Sequence, residues 1–352
     1  MTNPLIQHAD SLLTAYSNFP QSRFISLILV RKTESETLFR TEGSGEDLSK
    51  EFVRAGSADD EIIQRVVMTK RKQTAVERRA GREVLRTHKK LYSSEKGGGE
   101  CAMNGKPCGK CIDCLLYGYA VGKGDSDAVG AQKSRVMTED SYSLLKAGIV
   151  TAKRTFTGAY EDGTMRDPEN KTQASNSFVP DEAYIKPETH FLEIETLKDT
   201  TLGELVYTLG NVLRSTRYGA VSSRQGKIKN TLAGVVFSNC EIFSNLELTQ
   251  HVYDLLKAED KELNFPLRDM NVVTATNTAT DALMKRVVTN APIVLKADAA
   301  ADVESLIVNV YRSDEHVTTL LAAIEQGYEA NRTKAQAGHA AVLALLHAAS
   351  QK

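Results

Sequence analysis

The sequence predicts an α+β fold, and four stretches carry that expectation. HFLEIETL, His190 to Leu197, alternates as a half-buried strand does. Thr201 then starts a helix with Leu202, Leu205, Val206, Leu209, Val212 and Leu213 on one side, and TLAGVVF, Thr231 to Phe237, forms a second strand after a loop. From about Asp281 the chain reads mostly helical and ends in the alanine-rich AAVLALLHAAS.

With 352 residues, 41% hydrophobic and 25% charged, the chain is long enough for one embellished core or two domains, and its composition excludes collagen, coiled-coil and largely disordered classes. No run approaches the roughly 18 apolar residues of a membrane span, and Met1 to Asp10 lack the basic and then apolar order of a signal peptide. A cytoplasmic protein without a membrane partner is expected. No repeat of about 20–50 residues is visible, which sets aside solenoids and propellers.

Along the chain, RFISLILVRKTESETLFRTEG from Arg23 reads as a hairpin, an apolar strand, a polar turn and a short strand bearing Phe39. Short helical stretches are expected around Leu48 to Ala55 and Glu61 to Met68. Residues 67 to 132 read as an insertion, with the glycines Gly97 to Gly99 before a cysteine cluster and a glycine-rich stretch from Gly118 to Gly130 after it. Thr155 to Lys186 is polar and turn-rich, which suits a long β-hairpin or finger. A helix through Leu246 to Leu256 follows the second strand.

Net charge is −1, so the total says nothing in favour of nucleic acid; the distribution does. Between Arg65 and Lys90 lie ten basic residues, Lys70, Arg71, Lys72, Arg78, Arg79 and Arg82 among them, opposed only by Glu77 and Glu83. A helix with a basic face touching RNA or a displaced DNA strand is one reading; a solvated helix is the other. The segment lacks the bulky apolar face an interfacial membrane helix needs.

The second basic region is the loop RSTRYGAVSSRQGKIKN, carrying Arg214, Arg217, Arg224, Lys227 and Lys229 in a stretch from Leu205 to Cys240 that holds no acid. Glycines let backbone N–H groups approach phosphate oxygens, Ser222 and Ser223 add donors, arginines grip phosphate bidentately, and Tyr218 offers a ring for a base. A mobile loop with chance charge is the alternative. A Walker-type triphosphate loop is absent.

Cys101, Cys108, Cys111 and Cys114 stand as C-x6-C-x2-C-x2-C, with Gly105, Pro107 and Gly109 as turn residues. Four thiolates suit a structural, tetrahedral Zn²⁺; an iron–sulfur cluster and unligated thiols stay open. Cys240, at an apolar strand end, reads as core.

The βαβ unit with its Gly/Ser/Arg/Lys-rich loop is similar to the ferredoxin-like core of the repeat-associated RNA-binding proteins of CRISPR systems. Together, ILVRKTESETLFRTEG, the four-cysteine insertion, GYAVGKGDSDAVGAQKSRVMTEDSYSL and LRSTRYGAVSSRQGK resemble the backbone subunit of the type I-D Cascade surveillance complex, from about Arg23 to Tyr253. The resemblance implies a ferredoxin-like, RRM-like palm over 1–66 and 189–280, a basic and zinc-binding insertion over 67–132, a groove-lining and finger region over 133–188, and a helical part over 281–352.

It also implies a non-catalytic subunit that polymerises along CRISPR RNA and presents it to target DNA, or RNA, beside other copies of itself and other Cascade subunits. By position TFTGAYEDG is the finger, and Lys133, Arg135, Arg31 and Lys32 line the groove with the glycine-rich loop. Two other classes compete. A metal-dependent endoribonuclease would chelate Mg²⁺ through Asp125, Asp127 and Asp162, which otherwise read as turn residues; the loop after the first strand offers only Glu34 and Glu36. A zinc-ribbon DNA-binding regulator would use the cysteines. The seven histidines are scattered, with no HExxH and no GxSxG.

Overall fold

The computed structural model describes residues 2–40, 48–94, 99–103, 105–121, 130–157, 164, 178–333 and 339–350. In chain order the first half comprises α1 (Pro4–Gln7), β1 (Phe24–Thr33), β2 (Lys50–Arg54), β3 (Ile62–Met68), α2 (Lys70–Thr87), β4 (Ser93–Ser94), β5 (Gly99–Glu100), α3 (Ile112–Tyr117), β6 (Tyr119–Val121), β7 (Gly130–Gln132), β8 (Val136–Thr138), β9 (Ser141–Ser143) and α4 (Ala147–Val150). The second half comprises β10 (Thr151–Thr157), β11 (Phe178–Ile185), β12 (His190–Lys198), α5 (Leu202–Arg214), β13 (Ile228–Ser238), α6 (Asn245–Glu259), α7 (Asp269–Met284), β14 (Ile293–Lys296), α8 (Asp298–Tyr311), α9 (Asp314–Thr333) and α10 (His339–Ser350). No helix among the described residues is long and apolar enough to cross a membrane.

The main sheet is antiparallel, in the order β14-β13-β1-β12-β9-β3-β2, with β8 also on β12. Because successive side chains of a strand point to opposite faces, β1 serves two cores at once. Ile25, Leu27 and Leu29 face a layer containing α5, α8, α9 and α10, whereas Ile28 and Val30 face α6 and α7. Thr201 and Glu204 close a reciprocal capping box at the start of α5, which explains why the helix begins there.

Three expectations change. Residues 50–54 and 62–68 are strands: the β-branched Ile62, Ile63, Val66 and Val67 fit a pleat, and pairing of Val67 with Tyr142 on β9 holds them in the sheet. Among the described residues the Phe39 segment forms no strand of its own; Thr37 makes a single bridge to Ile185, and Phe39 packs edge-on against Phe191 at 5.5 Å. β12 is buried on both faces, its glutamates covered by helix α2, so its alternation does not mark a solvent side. Within the helical C-terminal part, β14 extends the sheet at its edge.

Where a hairpin is expected, β10 and β11 pair antiparallel from Thr151↔Ile185 to Thr157↔Phe178, and residues 158–163 and 165–177, with most of TFTGAYEDG, lie outside the described residues. Cys240 sits just past β13, half-buried, and its thiol donates to Val288 O at 3.4 Å, apart from the other cysteines.

Candidate nucleic-acid interface

Helix α2 follows β3 directly, and its eighteen residues place basic side chains all around the axis. Packing then sorts them. Lys70 and Arg82 turn inward and are buried, Arg78 is half-buried, and Arg71, Lys72 and Arg79 stay on the outer face. Arg78 and Arg82 share the buried carboxylate of Asp113, at 2.9 Å each. Burial works against the charge of both guanidiniums, but Asp113 holds their pKa above the ordinary value.

The glycine-rich loop between α5 and β13 packs on the segment that follows β1. Gly226 N–H donates to Glu36 O at 2.7 Å, Ala220 N–H to Leu38 O at 2.9 Å, and Lys227 N–H to Ser35 Oγ at 2.8 Å. Gly219 has φ +84°, and a Cβ there would lie 2.5 Å from Leu38 O; at Gly226, φ +81°, it would lie 2.1 Å from Tyr218 O. Both positions therefore require glycine. The tip beyond, Val221 to Arg224, is exposed, with Ser222, Ser223 and Arg224 outermost.

Loop and helix meet. Gly219 N–H donates to Gln73 Oε1 at 3.1 Å, and between the two elements runs a cleft of about 550 Å³ lined by Arg40, Arg71, Lys72, Arg78, Arg79, Val76, Met103, Gly219 and Ala220. The loop and the basic helix, far apart in sequence, thus share one groove, to which α2 and Arg40 bring the cations and the loop brings Gly219 and Ala220. Arg40, Gln73 and Met103 escaped the sequence reading: Arg40 stands alone in its stretch, Gln73 is uncharged, and Met103 belongs to the cysteine insertion.

Other expected contacts are corrected. Arg31, Arg135 and Tyr218 are buried and serve the interior. On β1, Arg31 lies on the same face as Leu29, beneath α2; its Nε donates to Glu193 at 2.6 Å, Nη2 to Glu77 at 2.8 Å, and Nη1 to Tyr218 Oη at 2.9 Å and Asn230 Oδ1 at 2.8 Å. Burial disfavours its charge, yet Glu193, Tyr218 and Glu77 together keep its pKa well above the usual value. Arg135 forms a buried ion pair with Glu204, the capping residue of α5, and donates to Asp199 O at 3.0 Å. Lys70 lies 2.5 Å from Glu193, and Arg82 is committed to Asp113, so neither of these helix residues reaches the cleft. These cations went inside because acids on distant elements meet them there.

The remaining residues scatter. Lys32 pairs with Asp269 at 2.6 Å. Lys229 and Arg217 are exposed, and Lys227 is half-buried; the Arg217 guanidinium donates to Gln225 O at 3.2 Å. Lys133 lines a separate depression of about 400 Å³ with Thr138 and Glu139. Arg214 lies 5.5 Å over the Tyr311 ring, facing α8 rather than the cleft. Asp125, Asp127 and Asp162 lie outside the described residues.

The four cysteines converge at the start of α3. Cys101 Sγ is 3.5 Å from Cys114 Sγ and 3.8 Å from Cys111 Sγ, and Cys108 Sγ is 3.9 Å from Cys114 Sγ. A tetrahedron of thiolates at about 2.3 Å from zinc has edges of about 3.8 Å, so the buried donor set could hold one zinc ion. Backbone N–H groups of Cys108, Lys110 and Cys111 donate to thiolate sulfurs at 3.3–3.4 Å, and Arg82 Nη1 approaches Cys101 Sγ at 3.7 Å, which offsets the negative charge such a site carries.

A family model described as Csc2 Crispr matches residues 11–337. Among solved structures, the crystal structure of Thermofilum pendens Csc2 superposes with a TM-score of 0.50 at 16% identity, covering 92% of this chain and 96% of that one, and shares its fold. A chain of a type IV-B CRISPR complex covers 59% of this chain and 89% of its own, at 10% identity and a TM-score of 0.37, too remote to bear on function. No curated protein matches the sequence.

Proposed function

The chain belongs to the Csc2 CRISPR family, and on that premise we propose that it is a non-catalytic CRISPR RNA-binding backbone subunit of a type I-D Cascade complex. The observation that carries this reading is the cleft where the glycine-rich loop and the outer face of α2 converge. The N–H groups of Gly219, Ala220, Gly226 and Lys227 are spent on holding the loop in place, so the exposed Ser222 and Ser223 hydroxyls with Arg79 and Arg224 would supply the donors for phosphates. Such a surface holds any guide sequence, as a spacer-bearing RNA requires.

The strand order β13-β1-β12 with β8 and β9 beyond, and α2 and α5 on one face, supports a ferredoxin-like palm. Residues 67–132 then form an insertion stapled by zinc at Cys101, Cys108, Cys111 and Cys114, and β10–β11 forms the base of the finger. Bound zinc would fix the loop that carries Met103 into the cleft wall. Other copies of the chain, further Cascade subunits and target DNA are the partners this reading implies.

The test is to purify the full chain with guide RNAs of increasing length. Mass that grows stepwise with RNA length, and affinity indifferent to sequence but steeply weakened by salt, is the expected result. Mg²⁺-dependent cleavage of the RNA would establish the endoribonuclease instead. Tight sequence-specific binding of duplex DNA by a dimer would establish the regulator.

A further inference from the structure

Beneath the cleft, β12 turns Glu193 and Glu195 to the same face, and α2 lowers Glu77 and Lys70 onto them while β1 brings Arg31. The three carboxyl groups have oxygens within 4.8 Å of one another, and all are buried. Among the described residues two cations serve them, Arg31 and Lys70, and neither donates a hydrogen bond to Glu195. Arg31 donates to Glu193, Glu77, Tyr218 and Asn230, and Lys70 lies 2.5 Å from Glu193 and 3.5 Å from Glu77. Glu195 comes no closer to a cation than 3.8 Å, from Arg31 Nη2, and neither of its oxygens has a hydrogen-bond partner among the described residues.

We propose that Glu195 is carried in the folded protein as a neutral carboxylic acid, its proton completing the charge balance of the cluster that joins the two walls of the cleft. Three carboxylates against two cations leave one negative charge in a site closed to water, where like charges at this spacing cannot all persist. A single proton restores neutrality. A divalent cation would overshoot it and would lie against Arg31 and Lys70, which already occupy both oxygens of Glu193 and Oε1 of Glu77. The groups facing Glu195 are Arg31 from β1, Glu193 from β12, Lys70 and Glu77 from α2, and the phenol of Tyr117 from α3. Burial, followed by Glu77, pushes the Glu195 acid well above the usual carboxylate range, whereas Arg31 and Lys70 outweigh burial at Glu193 and hold it below that range.

The proton has a consequence for the cleft. α2 enters the cluster through Lys70 and Glu77, and the glycine-rich loop enters it through the Tyr218 hydroxyl, which donates to Glu77 at 3.1 Å. An acid raised by folding contributes stability that is complete below its unfolded pKa, about 4.5, and is lost as pH rises through the folded value. Across that window the folding equilibrium constant falls up to tenfold per pH unit for this one proton. Rising pH across that window therefore loosens helix and loop together, whatever occupies the cleft.

The experiment compares the full RNA-free chain with Glu195→Gln by denaturant unfolding between about pH 6 and 9, alongside metal analysis and infrared spectroscopy. The unsubstituted protein is expected to lose stability with rising pH more steeply than E195Q, by up to tenfold per unit in folding constant, and to show a protonated-carboxyl band that E195Q lacks. Parallel pH profiles with no such band would overturn the proposal, as would a stoichiometric metal released by E195Q. Should E195Q not fold, the band in the ¹³C-glutamate-labelled wild-type chain at about pH 8 decides: present, it supports the resident proton; absent, it refutes it. RNA affinity enters none of these readouts, so failure here is distinct from failure of the proposed function.

Discussion

The Gln73 carboxamide accepts the backbone N–H of Gly219 at 3.1 Å, fastening α2 to the glycine-rich loop across 146 positions of sequence. This bond, with the buried Tyr218–Glu77 contact behind it, sets the width of the basic cleft. Gln73→Leu leaves the Gly219 donor partnerless at a cost of about 1–3 kcal/mol. RNA affinity is expected to fall roughly tenfold and equally for unrelated sequences, measured by fluorescence anisotropy; a change in base preference at constant overall affinity would contradict the role assigned to the loop.

Arg79→Ala and Arg224→Ala remove exposed cations without touching the interior. Each should lessen the slope of log affinity against log salt by about 0.7, the value for one phosphate contact on a single strand, and leave the unfolding midpoint in place. An unchanged slope in both would remove these residues from the RNA path.

Arg31 is expected to behave in the opposite way. Removing it strands Glu77 and Glu193 without their main counter-charge, and Arg31→Ala should destabilise the chain by about 3–5 kcal/mol. Arg31→Lys should recover little of this, because an ammonium cannot reproduce the fork that reaches Glu193, Glu77, Tyr218 and Asn230 together. Urea unfolding checks both, and a variant as stable as the parent would show that the arginine is dispensable to the interior.

Zinc should be present at one ion per chain and lost in Cys108→Ser or Cys114→Ser, with a fall in stability of more than about 2 kcal/mol. Met103, two residues beyond Cys101, lines the cleft, so chelation should also weaken RNA binding. Metal analysis with paired binding curves tests this; iron in place of zinc, or full RNA affinity after complete metal loss, would reject the coupling.

Patterns confined to a few neighbouring residues were legible in the sequence by itself: the strand, helix, loop and strand from His190 to Phe237, the cap at Thr201, the clustered cysteines, and the acid-free basic loop with its glycines. Periodicity, capping and ligand spacing act over one or two turns of chain, so they survive without a fold. Which positive charges face solvent was decided only by tertiary structure. Arg31, Lys70, Arg82 and Arg135 look like their exposed neighbours in the sequence, but Glu193, Asp113 and Glu204 arrive from distant elements and take them inside. The same folding leaves the Glu195 carboxyl without a hydrogen-bond partner among the described residues and brings Arg79 and Gly219 to one cleft. A charge count along the chain registers how many cations there are, but only the packing of the sheet against its helices determines which of them an RNA strand can touch.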